Sequence, residues 1–301
     1  MPLQPAARQK TLAATTVFAG IGVHSAGHVR VVLRPAAVNH GIVFVRTDVS
    51  GRDNRVPALA SRVSSTRLNT EITNGAGVSV STIEHLMAAF AALGVDNAVV
   101  ELDGAETPIM DGSAQPFVDV IDRAGVRDQD APRRAIELIE PIEVVVGDKR
   151  AALLPADRFE VAFELDYTGA SAAIGRQSID LVVTEASFRR ELARARTFGF
   201  LHEIEQLQAM GLGKGASLEN AVGLDGDRIL NPEGLRMERE FVRHKAMDAI
   251  GDLYTLGAPI IGRFESSKGG HALNNLLCRA VLARPSAWRW RPPMLDLAAT
   301  G

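Results

Sequence analysis

Residues Glu238 to Tyr254, Glu-Arg-Glu-Phe-Val-Arg-His-Lys-Ala-Met-Asp-Ala-Ile-Gly-Asp-Leu-Tyr, constrain the rest of the chain more than any other stretch. Val242, Ala246, Ala249, Ile250 and Leu253 recur at helical spacing and mark a buried face. On another face His244, Asp248 and Asp252 follow one another at four-residue steps. Residues so spaced on a helix are neighbours, with Cβ atoms roughly 5–6 Å apart. Such an imidazole and carboxylate either hydrogen-bond to each other as a polar stripe or converge on one metal ion. Two ligands do not make a metal site, so the chemistry needs a third ligand and a base from elsewhere in the chain.

The 301 residues suffice for a large core in one or two domains. A net charge of -3 without a long run of one sign argues against a nucleic-acid partner. Cys278 is the single cysteine, which excludes an intramolecular disulfide and a cysteine-based zinc site. Any metal must be held by His, Asp or Glu. The first ten residues lack the apolar core of a signal peptide, and no stretch reaches the ~18 apolar residues of a membrane span. A cytoplasmic protein without a membrane span is expected.

The first half reads as strands and turns followed by helices. Val29–Leu33 and Gly41–Arg46 are β-rich. Between the first strands, Gly20 to His28 is punctuated by glycine, with His24 and His28 either loop or site residues. Ser81 to Gly94 reads as a helix, with Ser81 and Glu84 at capping-box spacing and Gly94 as its C-terminal cap. Capping does not explain His85. A second helix spans Pro116 to Ala124, and the polar stretch Gly125 to Arg134 is the expected domain boundary.

The second half repeats this order. Strands are expected at Ile136–Val146, Ala151–Leu154, Phe159–Leu165 and Gln177–Val183, and helices at Glu185–Arg194 and His202–Met210. Gly211 to Ala216 reads either as a weak phosphate loop or as a flexible cover over a site. A strand at Pro259–Phe264, a glycine-rich loop at Ser266–His271 and a helix at Ala272–Leu282 follow.

Catalytic zinc takes three protein ligands and leaves a position for water. His85 is the choice to complete His244 and Asp248, and it carries Glu84 to the metal as a base. His271, flanked by glycines, is a candidate acid or oxyanion aid, with Asp252 to orient it and Thr197 as a hydroxyl donor. Lys149, Lys245 and Lys268 are either phosphate contacts or surface lysines.

Five motifs resemble one family in register. They are Ser81-Thr82-Ile83-Glu84-His85-Leu86, Pro108-Ile109-Met110-Asp111-Gly112-Ser113, Ala195-Arg196-Thr197-Phe198-Gly199-Phe200, Phe241 to Asp252, and Gly270-His271-Ala272-Leu273-Asn274-Asn275. The chain resembles the UDP-3-O-acyl-N-acetylglucosamine deacetylases, zinc amidases of lipid A biosynthesis in Gram-negative bacteria. The resemblance implies an α+β fold of two similar domains, residues 1–127 and 133–301. Each would layer a sheet against helices, with the helical layers packed together and the active site between the domains. It implies zinc, or ferrous iron as the native metal, on His85, His244 and Asp248. Glu84 would be the general base, His271 the general acid with Asp252 as its partner, and Thr197 an oxyanion donor. Lys149, Lys245 and Lys268 would lie near the nucleotide diphosphate and Phe198 in the substrate site. An insert at about 199–222 would form the acyl passage.

The implied substrate is acylated UDP-N-acetylglucosamine, acted on by a monomer. Two features depart from the family pattern. Arg67-Leu68-Asn69 replaces apolar and cysteine residues found beside the acyl entrance in some relatives, and Gly269 stands where serine is common. A non-catalytic nucleotide-sugar sensor and a zinc amidohydrolase of another N-acyl substrate are the competing readings.

Overall fold

The computed structural model describes residues 7–291. The outermost parts of the two expected domains, 1–6 and 292–301, lie outside the described residues. The fold is mixed α+β, with six α-helices among the described residues: α1 (Glu84–Leu93), α2 (Gln115–Ala124), α3 (Glu185–Glu191), α4 (Leu201–Ala209), α5 (Glu240–Tyr254) and α6 (His271–Ala283).

Two sheets share one plan. In the first, Ala98–Leu102 lies between the antiparallel strand His28–Pro35 and the parallel strand Ile42–Arg46. Thr16–Ile21 and Arg55–Pro57 complete hairpins on the outside. In the second, Ile260–Ser267 lies between the antiparallel Lys149–Leu154 and the parallel Phe159–Asp166. Ile142–Val146 and Arg176–Val182 complete the equivalent hairpins. In each half a helix enters the central strand (α1, α5) and another leaves it (α2, α6). Each half also inserts a three-stranded sheet before its first central helix. The similar order of elements noted in the sequence is therefore a shared topology.

Helix α1 packs against α5, with α2 on the first sheet and α5 and α6 on the second. That position explains why α5 is buried nearly all round, from Glu240 through Tyr254, rather than along one stripe. Gly251 sets the approach of the two helices. A Cβ there would stand 2.0 Å from the carbonyl oxygen of Glu84. Only glycine lets the backbones cross this closely.

The structure corrects several sequence expectations. Helix α1 begins at Glu84 with Ile83 in the cap position and no side-chain cap, so Ser81 and Glu84 form no capping box. Ser81 instead makes a β-bridge to Glu106, and Thr82 takes a left-handed φ of 57° before the helix starts. The polar stretch after Gly125 is a strand, Val126–Pro132, paired with Arg8–Leu12. None of its residues is fully buried, so no apolar alternation marks it as a strand. The expected strand at Ile136–Val146 is two strands, Ala135–Leu138 and Ile142–Val146. Ser266 and Ser267 finish a strand rather than open a loop. Trp288–Arg291, unread in the sequence, pairs with Ala135–Leu138. Gly211 to Ala216 is anchored: the N–H groups of Lys214 and Gly215 donate to His24 O and Val23 O at 3.3 and 3.0 Å. A Cβ on Gly215 would meet Gly22 O at 2.3 Å.

Candidate metal centre

The first turn of α1 carries Glu84 and His85 to the middle of α5, where His244 and Asp248 occupy successive turns. One ligand atom from each of His85, His244 and Asp248 falls within a 4.8 Å cluster, and all three side chains are buried. His85 Nε2 stands 3.3 Å from Asp248 Oδ1, and His244 Nε2 stands 3.3 Å from Asp248 Oδ2. The backbone carbonyl of Ala195 lies 3.1 Å from His244 Nδ1 and accepts its proton. His244 Nε2 then presents a lone pair to a carboxylate oxygen. Asp248 Oδ1 has no hydrogen-bond partner among the described residues. Two acceptors facing each other in a buried space are repulsive unless a cation lies between them. The donor set, with the Ala195 carbonyl orienting His244, therefore fits a divalent metal that favours imidazole and carboxylate ligands.

The groups around this cluster divide by charge. Burial raises the Glu84 carboxyl above its usual range, with His271 and His85 opposing that shift. The Thr70 N–H donates to Glu84 Oε2 at 3.0 Å and fixes the carboxylate. His271, the first residue of α6, places Nε2 4.0 Å from Glu84 Oε1. Burial and a helix N-terminus both disfavour charge on this imidazole. Asp252 reverses the balance through a 2.8 Å bond to His271 Nδ1, and the pKa stands at about 9. Asp252 is itself held by Thr70 Oγ1 at 2.5 Å and Asn274 Nδ2 at 2.9 Å. In His244, by contrast, burial dominates and the pKa falls to about 3, which keeps the ring neutral as a ligand must be.

A cavity of ≈ 260 Å³ opens from Glu84, His85, His244, Asp248 and His271 toward an apolar wall of Ile109, Phe198, Ile204 and Leu207. Thr197, Leu68 and Asn69 also line it. The segment Ala195–Phe198 is pinned by a buried ion pair: Arg196 N and Nε donate to Glu240 Oε1 at 3.0 and 2.9 Å. Lys245 lines the cavity and holds Asp248 Oδ2 at 2.7 Å. Burial opposes its charge, but Asp248 more than compensates and the pKa is raised. Lys149 and Lys268 do not line this cavity. Lys149 opens the strand Lys149–Leu154, and Lys268 bonds Asp148 at 2.9 Å. At Gly269 a Cβ would meet Ser266 Oγ at 2.1 Å, so the departure to glycine matches the rotamer of Ser266.

Several supporting residues carry no local sequence signal. Thr70 lies 182 positions from Asp252, and Arg196 lies 44 from Glu240. Asn274 stands inside a quoted motif, three residues after His271, and that helical spacing was its one available clue. Glu106 is buried and accepts from His24 N, Ser25 N and Ser25 Oγ at 2.9, 3.0 and 2.6 Å. It thereby clasps the glycine-rich turn, and Thr82 Oγ1 also donates to it at 3.2 Å.

Two histidines and an aspartate converging beside a buried carboxylate, with a cationic imidazole opposite, define a metal-dependent hydrolase built at the seam of two sheet-and-helix halves. Residues 9–283 match the family model described as UDP-3-O-acyl N-acetylglycosamine deacetylase, and the chain belongs to that family. It is 64% identical over 290 residues to the UDP-3-O-acyl-N-acetylglucosamine deacetylase of Phenylobacterium zucineum, covering 96% of this chain and 98% of that protein. It is 49% identical to the Myxococcus xanthus enzyme of the same name over 94% of this chain and 89% of the relative. For the Acidithiobacillus ferrooxidans enzyme the values are 48%, 94% and 92%. No helix among the described residues is long and apolar enough to cross a membrane.

Proposed function

We propose that this chain hydrolyses the acetamide of UDP-3-O-acyl-N-acetylglucosamine, releasing acetate and the free glucosamine amine for lipid A biosynthesis. The observation that carries the reading is the three-ligand cluster at the head of an apolar cavity, in a chain with near full-length deacetylase relatives. His85, His244 and Asp248 would hold the metal, taken to be zinc. When bound, the ion supplies a Lewis acid that acidifies water and polarises the amide carbonyl.

The chain's own groups do the rest. Glu84, raised by burial and held by Thr70 N–H, takes the proton from the attacking water. As the new C–O bond forms, the Thr197 hydroxyl donates to the developing oxyanion. His271, held charged by Asp252, gives a proton to the departing nitrogen as the C–N bond breaks. The apolar wall at Ile109, Phe198, Ile204 and Leu207 would receive the acyl chain, leaving the charged sugar nucleotide at the lysine-bearing end. Lys149 and Lys268 would then act on the diphosphate from outside the cavity. We take the enzyme to act as a cytoplasmic monomer.

The test is acetate release from the 3-hydroxyacyl substrate, before and after chelation. Release that chelation abolishes and zinc restores supports the reading. A folded, metal-loaded protein that releases no acetate overturns it.

A further inference from the structure

Asn69 lines the cavity of the candidate site and is only 7% exposed, yet no hydrogen bond among the described residues engages its side-chain amide. The other buried polar side chains of that wall are occupied. Thr82 donates to Glu106, Glu84 accepts from Thr70 N, and His271 bonds Asp252. His85, His244 and Asp248 form the candidate ligand set. An amide taken out of water without a partner is costly, and an apolar side chain there would avoid the cost. The Asn69 amide therefore calls for a polar group on the molecule that fills the cavity.

Its place in the chain says which group. One residue on, Thr70 gives its N–H to Glu84 Oε2 at 3.0 Å and its hydroxyl to Asp252. Two residues back, Arg67 Nη2 reaches Met210 Sδ at 3.6 Å, at the C-terminal end of α4. That helix carries Ile204 and Leu207 of the apolar wall. Asn69 thus stands on the short segment that joins the buried carboxylate to the apolar wall. In a 3-O-acyl-N-acetylglucosamine the ester sits on the carbon next to the one bearing the acetamide. The polar groups met on passing from the acetamide into the chain are the ester and, in a 3-hydroxyacyl chain, a hydroxyl two carbons beyond its carbonyl. The ester carbonyl only accepts a hydrogen bond. The hydroxyl donates and accepts, so it matches either end of the amide.

We propose that Asn69 determines acyl specificity: its amide bonds the hydroxyl of a 3-hydroxyacyl chain, and the site thereby selects hydroxylated over unsubstituted chains. This rests on the deacetylase reading above and adds the group by which the acyl chain is recognised.

The test compares kcat/KM for acetate release from two substrates of equal chain length, one 3-hydroxyacyl and one unsubstituted, with the zinc-loaded protein. The wild type should favour the hydroxylated substrate by about ten-fold or more, as one hydrogen bond in a buried site requires. In Asn69→Ala that ratio should fall to within about two-fold of one. Asn69→Leu, close in size and without polar atoms, should do the same and keeps the test open if the smaller side chain upsets the wall. Because the ratio cancels general damage to the site, a merely structural role would not move it. A wild type that does not discriminate overturns the inference, as do folded variants that keep the preference. Release from neither substrate overturns the deacetylase reading and this inference with it, whereas the other two results leave that reading standing.

Discussion

Asp252 accepts hydrogen bonds from Thr70, His271 and Asn274, donors from two separate parts of the chain. Its carboxylate holds charge on the His271 imidazole, which stands beside Glu84. Asp252→Asn keeps the shape and removes that charge, so kcat for acetate release should fall on the order of 10²-fold or more while metal content stays unchanged. Thr70→Val removes one donor from the same oxygen cluster. It should lower kcat by about ten-fold, with circular dichroism unaltered, because one bond to a charged group is lost and the carboxylate can turn. At this scale the sequence was legible where residue type and spacing carry the chemistry. Glu84, His85, His244, Asp248 and His271 could all be nominated, and the structure brings them together. Thr70, Arg196, Glu240 and Glu106 could not, because each acts through a partner that only the tertiary fold brings near. Thr82 is illegible in another way. A β-branched residue at positive φ costs about 1–3 kcal/mol and is held by its surroundings, including Glu106.

Helix α5 was readable from its apolar periodicity and α1 from its end signals, of which Gly94 closes the helix with a φ of 70°, as its position suggested. The start of α1 was not readable. Capping-box spacing is a local signal, and the bridge that captures Ser81 is a contact with residue 106. Gly251 shows the same limit, since nothing in the helix pattern says that its missing side chain meets another backbone. Gly251→Ala should push α1 and α5 apart and destabilise the fold by about 1–3 kcal/mol, read as a lower melting temperature. Metal affinity should drop with it, because Glu84 and His85 ride on the displaced helix. Retained affinity with lowered stability would separate the packing role from the site. The strand Val126–Pro132 was missed because its burial alternates weakly and its partner lies at the start of the chain.

The described residues repeat one five-stranded plan, to which the second half adds two strands, with a three-stranded insert at the same place in each half. That repeat was a faint hint in the sequence, since it lies in the order and pairing of elements rather than in matching residues. At the wall of the cavity the segment around Gly215 meets the Val23–His24 turn of the first half. Gly215→Ala would force that contact open against Gly22 O. The expected result is a rise in KM for the acylated substrate on the order of ten-fold, with metal content unchanged, since a misplaced wall disturbs substrate positioning rather than ligation. The ligand set has a consequence of its own. Of the candidate ligands, His85 belongs to the first half and His244 and Asp248 to the second, so an ion held there would act as a rivet through the seam. Any ligand that binds only the assembled state shifts the unfolding equilibrium toward it. Chelation should therefore lower the melting temperature, and stoichiometric zinc should restore it. By reciprocity, whatever tightens the seam also tightens metal binding. A contact remote from the chemistry could then set how much metal the protein retains when the ion is scarce.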